Sequence, residues 1–140
     1  MTARRTLDEL LRAARAAIER HEPAAAWTAA QDGARIIDVR ASPGQVVPDS
    51  LLIPRTVLEW RLAPDSEWRS PHAPGLDERV ILLCDHGESS SLAAATLVEL
   101  GFTRAGDVVG GFAAWVEAGL PAVPAPPTAA GLPGMTPPVA

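Results

Sequence analysis

Val80-Ile81-Leu82-Leu83-Cys84-Asp85-His86-Gly87-Glu88-Ser89-Ser90-Ser91-Leu92 reads as a strand handing over to a helix. Four apolar residues between Arg79 and a polar loop match a strand buried on both faces, the kind that parallel sheets contain. Beyond Ser91, Leu92-Ala93-Ala94-Ala95-Thr96-Leu97-Val98-Glu99-Leu100 is rich in good helix formers, and Gly101 supplies the residue that follows a helix end. Cys84, the only cysteine of the chain, therefore stands at the carboxyl end of the strand and faces a helix start. Loop N–H groups and the positive end of the helix favour thiolate there and would hold an anionic adduct.

Working outward, the same alternation continues. Pro23 opens an alanine-rich helix that carries Trp27, runs to Gln31 and ends at Asp32-Gly33. Arg35 to Arg40 reads as a strand, and Leu51-Leu52-Ile53 as a second one stopped by Pro54. Thr56 to Leu62 looks helical, and Ala63 to Asp77 is a loop rich in Pro, Ser and charge. After residues 80–100 come a strand at Asp107-Val108-Val109, a turn at Gly110-Gly111 and a helix from Phe112 to Ala118. Strands alternating with helices imply an α/β fold built on an open, mostly parallel sheet. Such sheets bind ligands beyond the carboxyl ends of their strands, the edge to which Cys84, Asp38 to Arg40 and Pro54-Arg55 belong.

Two flanking segments differ in character. Thr6-Leu7-Asp8-Glu9 has capping-box form, and Leu7, Leu10, Leu11, Ala14 and Ile18 recur at helical spacing, so residues 6–20 read as an amphipathic helix. Its apolar stripe is expected to pack on the main domain, or else to build a homodimer. Seven of the fourteen prolines fall in the last twenty residues, which predicts an unpacked, partly polyproline tail. The expected division is an N-terminal helix in 1–22, one domain in 23–122 and a flexible Pro-rich tail in 123–140.

Composition narrows the function. The chain has 140 residues, a formal net charge of −5 and no lysine, all twelve basic side chains being arginine. No dense basic stripe results, which argues against nucleic acid as a partner. No apolar run approaches the roughly 18 residues that a membrane span needs, and Met1-Thr2-Ala3-Arg4-Arg5 lacks a secretory apolar segment. A cytoplasmic protein without membrane contact is the expectation. One cysteine leaves no internal disulfide, Cys-x-x-Cys dithiol or Cys-rich zinc cluster, and neither metal nor cofactor is expected.

Each residue of the loop admits a plain and a functional reading. Cys84 is either an inert strand-end thiol or a nucleophile. Gly87 permits a tight turn and close approach of a ligand. Ser89 and Ser90 are candidate helix N-caps, or hydroxyl donors to the sulfur. Asp85 and Glu88 favour the helix start by about 0.3–1 kcal/mol each when exposed, yet both oppose negative charge on Cys84. His86 is a surface residue or, when protonated, offsets one acid. Asp38 is expected to accept loop N–H groups at a strand end. Arg40 and Arg55 are either solvated, or one of them supplies from a neighbouring loop the positive charge that the cysteine's own loop lacks.

Four segments in order resemble the rhodanese family of single-domain sulfurtransferases and their relatives. Ile36-Ile37-Asp38-Val39-Arg40 is similar to the family's first-strand element, and Val47-Pro48-Asp49-Ser50-Leu51-Leu52-Ile53-Pro54 resembles the segment that follows it. Cys84-Asp85-His86-Gly87 is similar to the Cys-x-x-Gly active loop, and Gly110-Gly111-Phe112-Ala113-Ala114-Trp115 with Gly119-Leu120-Pro121 resembles the terminal element. The resemblance implies a five-stranded, mostly parallel sheet flanked by helices on both faces. It also implies that Cys84 carries a persulfide from a small-molecule or protein-bound sulfane-sulfur donor to a thiol or cyanide-like acceptor. Asp85, His86, Gly87, Glu88, Ser89 and Ser90 would form the loop that holds it.

The chain departs from the family where thiosulfate users commonly carry an arginine, five positions after the cysteine, for Ser89 stands there. A loop with two acids and no arginine counts against efficient use of thiosulfate, a dianion. The alternative is a catalytically weak or inactive rhodanese-like binding or regulatory module. Cysteine phosphatases and arsenate reductases resemble this architecture too, but they need an arginine clamp, and after Cys84 none occurs until Arg104.

Overall fold

The computed structural model describes residues 3–127 and 133–138. Its elements are α1 (Leu7–Ala17), β1 (Glu19–His21), α2 (Pro23–Gln31), β2 (Arg35–Asp38), β3 (Gln45–Val46), β4 (Leu51–Leu52), a 3-10 turn (Arg55–Val57) and α3 (Leu58–Leu62). They continue with β5 (Val80–Leu83), α4 (Ser89–Glu99), β6 (Ala105–Val108), α5 (Gly111–Glu117) and β7 (Val123–Pro124). A five-stranded sheet runs in the order β1-β6-β5-β2-β4. All four of its pairings are parallel.

The period-two arrangement of β5 splits its side chains between two cores. Val80 and Leu82 face Leu58, Leu62, Ala93, Ala94 and Leu97, beneath α3 and α4. Ile81 and Leu83 face Ala26, Ala29, Phe112 and Trp115, beneath α2 and α5. Burial on both faces is why this strand reads as an unbroken apolar run. Trp115 is fully buried, meets Trp27 edge-on at 5.9 Å, and donates its indole N–H to the Pro121 carbonyl at 2.9 Å. Thus the Trp…Gly…Pro element closes the second core. Helix α1 lies on α4 and buries Leu11 and Ala14, while Leu7 and Leu10 stay exposed. Its capping box is present: Glu9 N–H donates to Thr6 Oγ1 at 3.1 Å, and Thr6 N–H to Glu9 Oε1 at 3.2 Å.

Two expectations need correction. The N-terminal helix does not reach residue 20: it stops at Ala17, Ile18 turns extended, and Glu19–His21 become the edge strand β1. A three-residue edge strand of polar residues carries no period-two signal, and its only reason to be a strand is its partner β6. The segment 123–140 is also more than an unpacked tail. Val123–Pro124 pairs antiparallel with Gln45–Val46, Arg61 Nε donates to the Pro133 carbonyl, and Gly134 is buried against Arg61 and Ile53. Proline is tolerated in such an edge strand because a carbonyl can pair where its N–H is missing. Residues 128–132 and 139–140 of that segment lie outside the described residues.

Gly106 governs how closely β1 can dock, since a Cβ there would strike the Glu19 carbonyl. Gly106→Ala is therefore expected to destabilise the fold by about 1–3 kcal/mol, the usual range for overpacking. Urea unfolding checks this, and an unchanged midpoint would show that β1 does not need the close approach.

Candidate active site

Cys84 follows the last residue of β5 and is 5% exposed. The loop after it folds back against β6 and the start of α5. Gly87 has φ +81°, and a Cβ on it would lie 2.6 Å from Gly110 N and 3.0 Å from Val108 O. Gly111 has φ +62°, and a Cβ there would lie 2.6 Å from Asp85 C. The first N–H groups of α5 donate across this contact, Phe112 to the Cys84 carbonyl at 2.7 Å and Ala113 to the Asp85 carbonyl at 3.1 Å. Gly110-Gly111 is therefore the floor of the cysteine loop as well as a turn.

The sulfur sits in a small cradle. Gly87 N–H and Ser90 N–H donate to Sγ at 3.1 and 3.4 Å, and the thiol donates to Ser90 Oγ at 3.2 Å. Burial pushes the Cys84 pKa up, but the hydroxyls of Ser90 and Ser89 and the N–H groups of Ser90 and Gly87 outweigh it, so the thiol lies below its ordinary value. Ser89 and Ser90 are not the helix caps that their position suggested. Glu88 occupies the N-cap without a side-chain bond, and Ser90 Oγ is taken by Cys84 and by Asp107.

Asp107 was not singled out in the sequence, yet it lies under the loop with no exposed surface. Its Oδ2 accepts from Ser90 Oγ and Ser91 Oγ, each at 2.8 Å, and its Oδ1 accepts from Arg20 Nε at 2.9 Å. Arg20 Nη2 also reaches the Gly87 carbonyl at 3.0 Å, as does Arg15 Nη2, while Arg15 Nε donates to Ser91 Oγ at 3.1 Å. No local pattern announces this set, because it comes from α1, β1, α4 and β6. The available signal was a charged residue inside the short strand Ala105–Val108, which must be paired if it is buried.

The remaining candidates line the outer side. Asp38 is buried and accepts the Arg40 N–H at 3.0 Å, with Arg40 Nη2 at 2.7 Å. Arg40 also lies 4.0 Å over the Phe112 ring and 3.9 Å from Asp85. It thus meets the loop only at its rim, with most of its charge directed at Asp38. Arg55 Nη1 pairs with Glu59 at 2.9 Å, and among the described residues no hydrogen bond or ion pair joins Arg55 to the loop. Asp85, His86, Glu88 and Ser89 are exposed, Asp85 with 72% of its side chain in solvent.

Because alkylation follows the thiolate, iodoacetamide should label Cys84 with a midpoint below the free-thiol value of about 8.5, the rate falling as pH drops through it. An ordinary midpoint would contradict the cradle. Gly87→Ala adds both a strained φ and a backbone contact, so a stability loss of roughly 1–3 kcal/mol and a midpoint moved upward are expected from unfolding and labelling of the same variant.

A model of the Rhodanese family, a rhodanese-like domain, matches residues 22–118. The thiosulfate sulfurtransferase GlpE of Vibrio cholerae serotype O1 (strain O395) is 33% identical over 91 residues, covering 65% of this chain and 80% of that protein. The GlpE of Actinobacillus pleuropneumoniae serotype 5b is 51% identical over 45 residues, which are 32% of this chain and span 42% of the relative's length. Among solved structures, a Rhodopseudomonas palustris protein of unknown function and possible tyrosine phosphatase superposes with a TM-score of 0.76 at 29% identity, covering 86% of this chain and 96% of that one. The polysulfide-sulfur transferase homodimer of Wolinella succinogenes gives 0.65 at 26% identity, covering 85% and 88%. With the parallel sheet, the glycine floor and the cysteine at the strand end, these matches place the chain in the rhodanese-like domain family.

Proposed function

We propose that the chain works in the cytoplasm as a sulfurtransferase that carries sulfane sulfur on Cys84. The observation that carries this reading is the sulfur's setting, where two backbone N–H groups and the Ser90 hydroxyl converge on Sγ at the carboxyl edge of the sheet. In the first half-reaction the Cys84 thiolate attacks the outer sulfur of a persulfide donor. The donor's S–S bond breaks, its thiolate leaves with the electron pair, and a Cys84 persulfide forms. In the second, an acceptor thiolate or a cyanide-like nucleophile attacks that outer sulfur, and Cys84 leaves as thiolate. No net oxidation occurs, and N–H donors stabilise the anion at both stages.

The electrostatics favour a donor other than thiosulfate. Asp85, Glu88 and Ser89 are exposed at the loop, and Arg40 is held by Asp38. A dianion entering there meets two carboxylates before any free cation, whereas a low-molecular-weight thiol persulfide or a protein persulfide brings less charge to desolvate. Leu7 and Leu10 of α1 are the exposed apolar residues through which a homodimer would form.

Incubation with a sulfane donor should add about 32 Da to Cys84, one persulfide sulfur, and Cys84→Ser should abolish turnover. Thiol persulfides or a protein persulfide should give the higher kcat/KM than thiosulfate. Mass spectrometry that finds no adduct on Cys84, with Cys84→Ser as active as the parent, would remove the enzyme reading. A clear preference for thiosulfate would remove the donor assignment alone.

A further inference from the structure

The Ser90 hydroxyl has one proton and two claimants. With Cys84 as thiol, S–H donates to Ser90 Oγ and Ser90 O–H donates to Asp107 Oδ2. Once the sulfur is anionic, that proton can turn to Sγ without any heavy atom moving, because Oγ is already 3.2 Å away. Asp107 does not become an orphan when this happens. Its Oδ2 keeps Ser91 Oγ at 2.8 Å and Arg20 Nη2 at 3.3 Å, and its Oδ1 keeps Arg20 Nε at 2.9 Å. The balance between the two acceptors therefore depends on how fully the Asp107 charge is offset.

Arg20 is the offsetting charge, and together with Arg15 it also grips the Gly87 carbonyl, whose residue donates its N–H to the sulfur. Both arginines precede residue 22, where the family match begins. We propose that Asp107 is a positioning residue that divides the Ser90 proton between itself and the sulfur, and that Arg15 and Arg20 bring to the loop from beneath the positive charge its own side chains lack. The inference rests on Cys84 being the sulfur carrier. It assigns the N-terminal segment a place in the chemistry as well as in packing.

Opposite signs separate this from a merely structural role. Removing Arg20 leaves the buried Asp107 carboxylate uncompensated, which both holds the Ser90 proton and opposes charge on Sγ. Replacing Asp107 with Asn removes that competitor, lets the amide donate to Ser90 Oγ, and leaves two arginines acting on the loop. Other charges on elements around the loop are Glu19 and His21 on β1, the latter close enough to Asp107 to feel its charge, Asp38 at the end of β2 and Arg40 after it, and Asp85, His86 and Glu88 within the loop. None of these side chains bonds Ser90, Ser91 or Gly87 among the described residues.

The test is the pH profile of iodoacetamide alkylation of Cys84 in the full chain, with far-UV circular dichroism as the check on folding. At a fixed pH below the parent's midpoint, Arg20→Gln should react roughly 3- to 10-fold more slowly and Asp107→Asn faster by a similar factor, a tenfold change corresponding to one unit in midpoint. Arg15→Gln, on a partly exposed helix, should slow the reaction by a smaller factor. If Arg20→Gln and Asp107→Asn both move toward a free thiol, or neither moves, the proposal is overturned. Should Asp107→Asn not fold, an unchanged Arg15→Gln profile overturns it instead. Alkylation requires no sulfur donor, so a parent that never forms a persulfide would defeat the functional reading while leaving this result distinct.

Discussion

The fold is organised around a backbone contact: the carbonyls of Cys84 and Asp85 are capped by the first N–H groups of α5. Helix starts carry N–H groups that need acceptors, and a loop that turns sharply has carbonyls that need donors. Docking one on the other satisfies both. The approach is too close for side chains on Gly111 or Gly87, and both glycines also take positive φ. Everything else at the site inherits its position from this contact, including the 3.1 Å bond from Gly87 N–H to the sulfur.

Beneath that contact lies a charged layer that the fold could not bury without pairing. An isolated buried carboxylate would be costly, and breaking a buried pair typically costs about 3–5 kcal/mol. Asp107 meets Arg20 and two serine hydroxyls, so its charge is held with little exposed surface. Arg20 of β1 and Arg15 of α1 also donate to the Gly87 carbonyl, which ties both elements to the cysteine loop. Packing and electrostatics are thus not separate here: the elements that cover the α4 face of the sheet also set the charge beneath the sulfur.

Legibility in the sequence followed the range of the interactions. The strand Val80–Leu83 and the helices containing Trp27 and Trp115 were readable because a continuous apolar run, or Pro and Gly at element ends, reports local structure. Strands β1, β3 and β7 were not, since each is two or three residues long and is a strand only because a distant partner supplies its hydrogen bonds. Arg40 and Arg55 were placed on the cysteine's side from strand polarity, but which of them approaches the loop depended on Asp38 and Glu59, their competing partners.

By itself the sequence determined the α/β class, the strand-to-helix setting of Cys84 and the Gly-Gly element, because these follow from periodicity and from backbone chemistry within a few residues. It determined also that the loop is acidic and has no arginine of its own. Only the tertiary structure decided where compensating charge comes from. Arg15, Arg20 and Asp107 are separated by up to 92 positions along the chain yet meet under one loop. Parallel pairing of β1 with β6, in a register that sets Arg20 beside Asp107, brings them together, and no local pattern encodes a register between strands so far apart.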